Sequence, residues 1–404
     1  MRRSIHAVMP VVPAICAASI PLYPSYITLT NVAFPGVSVI PPPFTLALIA
    51  FDALMVLYAI VALLSPPRER QPLLWPMLGV AAACTLSTIF GFNPRDGAVF
   101  VTIFVMTVVW HCVIVRYYNT MNTARWLYWS YVVSGTLAAL AALVMVATRF
   151  PAAQYAIGNG RAIGTFVLPG ELAGYLIVFL PMTFALVRVA RSRALRVASF
   201  AGLAIGSVAM LLTFSRAGWT GLASAIAFFI AVRARARHAG LAAGAAIVAA
   251  ALLLVLLNFN AHHNPSENYT RLSIWQAAIQ VIDRFPLTGV GPFGFSRLYA
   301  LVRLPDGDAT AFHAHSVYLT FLAELGVVGC AAFVWLGWAF VAELRRRLRT
   351  ADPDAAYLAL AIAAGLAGTL VQGLIDTVSV VIFGLLLSTM ALALAAARDG
   401  TAGA

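Results

Sequence analysis

Lysine is absent from the 404-residue chain, so its formal net charge of +12 comes from arginine alone. Charge of either sign is scarce: 10% of the residues are charged and 62% are hydrophobic, with a mean hydropathy of +0.91. So little charge over this length excludes an ordinary soluble domain and points to a polytopic membrane protein. Cysteine is rarer still. Cys16, Cys84, Cys112 and Cys330 each lie inside an apolar run without CxxC spacing, which excludes a disulfide or metal framework. The arginine excess is no sign of nucleic acid, because the arginines sit in short loops between apolar runs, where membrane topology accounts for them. No internal repeat is visible. The opening MRRSIHAVMPVVPAICAASIPL has the charge and length of a signal peptide, but no clear cleavage site. With so many spans following, it reads as a signal-anchor first helix.

What the chain has in abundance is apolar length. A window of about 20 residues finds twelve candidate spans: 6–26, 43–65, 72–90, 98–116, 126–148, 170–190, 197–214, 217–233, 239–258, 316–342, 355–376 and 379–397. Arginine orients them. Arg2-Arg3, Arg68/Arg70, Arg116/Arg125, Arg188 to Arg196, Arg233 to Arg237, Arg345 to Arg349 and Arg398 all fall on one side, as the positive-inside rule requires. The expected fold class is therefore all-α, with about twelve transmembrane helices, cytoplasmic termini and one large periplasmic loop. The expected division is helices 1–9 over 1–258, the loop over 259–315, and helices 10–12 with a cytoplasmic tail over 316–404.

The opposite face collects the unusual residues: Arg161, Arg216, the 259–315 loop with His313 and His315, and Asp376. Within the loop, TRLSIWQAAIQVIDRF places Leu272, Trp275, Ile279 and Ile282 at the spacing of an amphipathic helix, ended by Pro286 and Gly289. Such a helix would lie along the membrane surface. Gly289-Val-Gly291-Pro-Phe-Gly294 matches GxGxxG literally. It follows a helix rather than a strand, and Pro292 stands where a helix start is needed, so it reads as a turn.

Four carboxylates fall in or at the ends of spans, namely Asp52, Glu171, Glu324 and Asp376. Each would cost about 2.5–3.5 kcal/mol at a helix centre, so each needs a partner or a hydrated cavity. Asp52 reads as a snorkelling interfacial residue, while Glu324 and Asp376 fit structural pairing and functional use equally. Arg216, in LLTFSRAGWTGL, parts two apolar runs by almost nothing. It either caps a helical hairpin or binds an anion, and with Arg271 and Arg161 it would make a guanidinium clamp for pyrophosphate. His315 is either a satisfied interfacial histidine or a general base near neutral pH. His313 and His315 with His262-His263 lack the ligand spacing of a zinc site, and Asp306-Gly-Asp308 reads as a turn before a metal motif.

The most specific motif is His315-Ser316, nine residues, then Gly326-Val-Val-Gly329. It resembles the signature of the O-antigen ligase and polymerase superfamily of bacterial envelope glycosyltransferases, in which His-Asn/Ser/Gln precedes a Gly-x-x-Gly/Thr/Tyr. Looser matches surround it: Arg161-Ala-Ile-Gly164-Thr165-Phe166, Ser215-Arg216 with Trp219, and Arg271, Trp275, Pro286, Gly289, Gly291 and Phe295. Asp376 resembles an acidic position near the penultimate helix end. The family usually continues the first of these with Pro-Asn, whereas this chain has Pro169-Gly170-Glu171.

The resemblance covers residues 158–380. It implies an O-antigen ligase, which transfers a glycan from undecaprenyl pyrophosphate to a sugar of lipid A-core on the periplasmic face of the inner membrane, without metal or other cofactor. It makes His315 the base, Arg216, Arg271 and Arg161 the pyrophosphate ligands, and His313, Asp376, Ser316 and Trp275 supporting residues. An O-antigen polymerase and a protein O-oligosaccharyltransferase are the enzyme alternatives. A lipid-linked glycan transporter is the other, but it would need polar residues at the midplane rather than at one face. Glu324 lies more than two turns from His315, too far along one helix for a direct pair.

Overall fold

Short polar side chains and prolines set the helix boundaries by satisfying the first orphan N–H groups. Ser192 accepts from Leu195 N at 3.4 Å, Ser215 from Gly218 N at 3.1 Å, and Asp352 from Asp354 N at 3.1 Å. Glu171 reaches back to Leu168 N at 3.1 Å, and Pro169 and Pro353 occupy first-turn positions where their missing donors cost nothing. The computed structural model describes residues 71–117, 121–166, 168–234, 267–305, 313–376 and 381–397, with isolated positions between 238 and 249 and at 307 and 311.

Among the described residues the chain forms helices and no strand. They are α1 (Leu74–Phe90), α2 (Pro94–Tyr117), α3 (Met121–Thr148), α4 (Ala152–Ile157), α5 (Pro169–Val189), α6 (Arg193–Leu212), α7 (Arg216–Arg233), α8 (Glu267–Arg284), α9 (Gly294–Val302), α10 (Val317–Leu348), α11 (Pro353–Gln372) and α12 (Val381–Ala396). Six of these, α2, α3, α5, α6, α10 and α11, are long and apolar enough to cross a membrane. The expected spans at 72–90, 98–116, 126–148, 170–190, 197–214, 217–233, 316–342, 355–376 and 379–397 each coincide with a helix. Those at 6–26 and 43–65, and most of 239–258, lie outside the described residues, as do Asp52, His262, His263, Asp306 and Asp308.

Contacts at the two ends agree with helices that alternate in direction. Phe92 N donates to Val290 O, and Ala162 N to Leu212 O, at one end. Gln71 Nε2 donates to Cys112 O, and Arg347 Nη1 to Leu394 O, at the other. In the middle of the bundle α5, α7 and α11 approach through small residues, the route to tight packing where lipid supplies no hydrophobic drive. Gly218 lies against Ala173, Gly221 against Gly368 O, and Gly365 against Val178.

Helix α10 departs from the single span expected of it. Gly326 sits at φ 62° and ψ −168°, so the helix breaks there into 317–325 and 327–348. A break frees two carbonyls and two N–H groups, and all four find partners on the turn after α8. Ala323 O accepts from Val290 N at 3.0 Å and Glu324 O from Gly291 N at 2.9 Å. Val327 N donates to Pro286 O at 2.9 Å and Val328 N to Leu287 O at 3.2 Å. The backbones come so close that a Cβ on Gly326 would strike Leu287 O, and one on Gly289, also at positive φ, would strike Glu324. The GxGxxG-like stretch is thus a turn, as read from sequence. A helix nonetheless follows it, because α9 starts at Gly294, two residues beyond the proline.

Around this joint a second apolar cluster forms from Ile274, Ala277, Ala278, Val281, Val290, Phe295, Tyr299, Ala311, Ala314 and Ala323. The buried stripe of α8 is therefore Ile274, Ala277, Ala278 and Val281, whereas Leu272 and Ile279 of the expected stripe are exposed. Alanines hid the buried stripe, since they weigh little in an apolar pattern.

Replacing Gly368 by valine should lower the unfolding temperature of the detergent-purified chain by several degrees. Its Cβ would land 2.5 Å from Gly221 O, and overpacking costs about 1–3 kcal/mol. An unchanged unfolding temperature would contradict the described contact of α7 with α11.

Candidate functional site

The histidine-bearing turn enters α10 through a strained residue. His315 lies at φ 47°, a left-handed conformation uncommon outside glycine, although His, Asn and Asp adopt it more often than other residues. Local bonds hold it there. His315 N donates to His313 Nδ1 at 3.1 Å, and Ala314 N donates to Thr320 Oγ1 at 3.2 Å. The two imidazoles meet edge to face, with ring centroids 4.3 Å apart and planes at 73°.

His313 is buried, and its partners define its chemical state. An Nδ1 that accepts a backbone N–H leaves the proton on Nε2. Burial first, then the neighbouring His315 and the charge of Arg271, hold its pKa well below the ordinary 6.5, so the ring is neutral at pH 7. A backbone hydrogen bond opposes the shift without reversing it.

The turn is fastened to the C-terminal end of α11. Val317 N donates to Gly373 O at 2.8 Å, and Ser316 Oγ donates to the same oxygen at 3.4 Å. Two residues on, Ile375 O accepts from Arg271 Nη1 at 2.7 Å, which brings the first part of α8 to the same place. Gln372 Nε2 donates to Gly170 O at 2.8 Å, and the Asp376 carboxylate lies over Gly170, where a Cβ would collide with it. Gly373 to Asp376 is thus a hub touched by α5, α8 and the start of α10.

Arg216 enters from the adjoining helix. Ser215 caps α7, and Gly218 rests on Ala173 of α5, so the starts of these two helices lie side by side. Arg161 is tied to the same corner, because Ala162 N bonds Leu212 O at the end of α6, just before the Thr213-Phe214-Ser215 turn. Its own Nε donates to Gly158 O at 3.2 Å. Phe214, at φ 45°, packs on Trp219, whose indole bonds Met210 O at 3.0 Å. The starts of α5, α7 and α10 therefore lie at one end, and those of α5 and α10 bring the positive ends of their dipoles to the hub.

Of the residues singled out from sequence, Ser316, Arg271 and Asp376 meet directly at the hub, and His313 and His315 adjoin it. Arg216 and Arg161 form the neighbouring corner. Trp275, one turn after Arg271, has its indole Nε1 buried with no acceptor among the described residues, a donor that a ligand can engage. Glu171 and Glu324 go elsewhere: the first to its own helix start, the second to the backbone N–H groups of Phe293 and Phe295. Gly170, Gln372 and Thr320 were not singled out from sequence. Gln372 left a signal, as an amide inside the apolar run TLVQGLI. Among the described residues no three of His, Cys, Asp and Glu converge as metal ligands.

Residues 201–334 match the family model described as O-antigen ligase. Over that stretch the chain is similar to the O-antigen ligase family. The matched stretch contains Arg216, Arg271, Trp275, His313, His315, Ser316 and the Gly326-x-x-Gly329 break, while Arg161, Gly170 and Asp376 lie beyond it. No curated protein matches the chain. This match and the six described helices long and apolar enough to cross a membrane point together to a multi-pass membrane protein.

The state of His313 has a measurable sign. Its folded pKa is depressed, so between pH 7 and 5 the unfolded chain takes up a proton that the folded chain refuses, and stability falls with falling pH. His313→Asn keeps a side-chain acceptor for His315 N without that titration. Its unfolding temperature should fall less than the wild type's over this window. Parallel curves would refute the buried neutral state.

Proposed function

We propose that the chain is an O-antigen ligase that moves a glycan from undecaprenyl pyrophosphate to a sugar hydroxyl of lipid A-core, with the site open to the periplasm. The observation that carries this reading is the meeting of the His315 turn, Arg271 and the starts of α5 and α10 at Gly373 to Asp376, in a chain that matches this family's model over residues 201–334. His315 takes the proton of the acceptor hydroxyl as its oxygen attacks the anomeric carbon. One carbon–oxygen bond forms as the bond to the pyrophosphate breaks, with inversion, and the lipid pyrophosphate leaves.

Charge grows on the departing pyrophosphate, so its holders contribute most. Arg216, Arg271 and Arg161 offer planar guanidinium forks of donors, the arrangement suited to phosphate oxygens. Helix N-termini add fixed dipoles at no cost of reorganisation. Ser316 and Asp376 hold the hub on which these parts rest, and His313 holds the backbone of His315. Trp275 Nε1 donates to the bound donor substrate. Fixing both lipid-linked substrates in the plane of the membrane supplies proximity.

In a purified transfer assay, His315→Ala should lose roughly 10²–10⁴-fold in turnover, the usual contribution of a general base. Near-normal turnover would remove it from that role. Arg216→Lys should also impair transfer, because a point charge does not replace the fork. A chelator should leave the rate unchanged; loss of activity restored by Mn²⁺ would overturn the metal-free mechanism. In cells without the gene, lipid-linked polymer should accumulate, whereas single repeat units would indicate a polymerase.

Trp275→Phe separates binding from structure. The orphan donor is costly to bury in the free protein, so its removal should leave stability unchanged or raised while raising the donor KM. Lower stability with normal KM would mark the indole as purely structural.

A further inference from the structure

We propose that Glu324 is a positioning residue, which latches the His315-bearing half of α10 to the Arg271-bearing helix α8 across the break at Gly326. The inference rests on the reading of His315 and Arg271 given above and deepens it.

Glu324 is a buried acid in an apolar helix, a placement that needs compensation. It is met by the backbone N–H groups of Phe293 and Phe295 at the start of α9. That helix has no cap of its own, since its N-cap residue is Phe293 and lies at φ 59°. An acid on one helix therefore caps another, and the positive dipole end of α9 faces the carboxylate. The main chain of the same residue is equally engaged. Its carbonyl accepts from Gly291 N and from Ser87 Oγ of α1. Through one residue, α1, the 286–295 turn and α9 are all joined to α10.

The mechanical consequence follows from chain connectivity. The 286–295 turn continues directly from α8, so the latch holds the last turn of that helix. Arg271, in its second turn, is bonded to Ile375 O at the hub. Helix α8 is thus held at both ends: by the hub at Arg271 and by the break at Pro286 to Gly291. His315 lies at the other end of the short half-helix 317–325, which terminates at the same break. The spacing of the histidine from the arginine is set by this frame. Four backbone bonds already close the break itself, so the carboxylate adds something separable, the coupling of α9 and the turn to α10.

Glu324→Ala should lower kcat/KM by about 10- to 100-fold, the loss that a small misplacement of reacting groups brings. Glu324→Gln keeps one acceptor oxygen and should recover part of it. Combined with Arg271→Ala, the Glu324 variant should add little further loss, because it acts through that arginine. Wild-type kcat/KM, or losses that add in full, would overturn the proposal; if the alanine variant does not fold, the glutamine variant is put through the same cycle. A second readout needs no catalysis. With spin labels at the exposed positions Gln276 and Tyr318, in a chain freed of its native cysteines, the interlabel distance should be narrowly distributed and broaden in Glu324→Ala. An unchanged distribution sinks the latch. A wild-type chain that transfers no glycan sinks the proposed reaction instead, and leaves the latch to be judged by distance.

Discussion

The main-chain hydrogen bonds exchanged at Gly326 are the constraint on which the rest of this end of the molecule depends. A helix interrupted inside an apolar bundle exposes groups that lipid cannot satisfy. The turn from Pro286 to Gly291 offers two carbonyls and two N–H groups in complementary order, so each orphan on α10 is matched. That exchange works only where neither backbone carries a β-carbon at the crossing, which fixes glycine at 289 and 326. The break in turn ends the first half of α10 early and lets the histidine turn lean on α11 while the second half crosses the bundle.

The chemistry follows from where helices begin and end. One helix C-terminus, that of α11, is met by the starts of α5 and α10, with the start of α7 beside that of α5. Carbonyls at the end of α11 are occupied by Val317 N, Ser316 Oγ and Arg271, so their negative character is spent inside the protein. The helix starts are left to face whatever is bound. Arginine suits such a place better than lysine, because its charge survives desolvation and its donors are fixed in a plane. The histidine pair sets two imidazoles beside the hub, and the buried member holds the backbone of the other in a left-handed conformation.

How much of this could be read from residues alone depended on the range of the interaction. Spans were legible because about 20 apolar residues in a row leave few alternatives; the cap at Ser215 and the first-turn Pro169, which set two of their starts, were not read as such. The histidine turn was legible through its spacing to Gly326. What that spacing means was not, since the partner of Gly326 is a carbonyl at Leu287 that no local pattern reveals. Gln372 and Gly170 are 202 residues apart, and only the folded bundle joins them. The face of α8 that packs on the protein went unread, because leucine and isoleucine outweigh the alanines that make the contact. Glu324 was recognised as costly, but its payment by another helix's N–H groups is a tertiary fact.

Gly170 carries one more implication. The volume that its side chain would fill is held by a carboxylate arriving from Asp376, at the far end of another helix. The two positions share a single space, so neither can vary freely: any larger residue at 170 must expel the acid, and a shorter one at 376 would leave a gap at the start of α5.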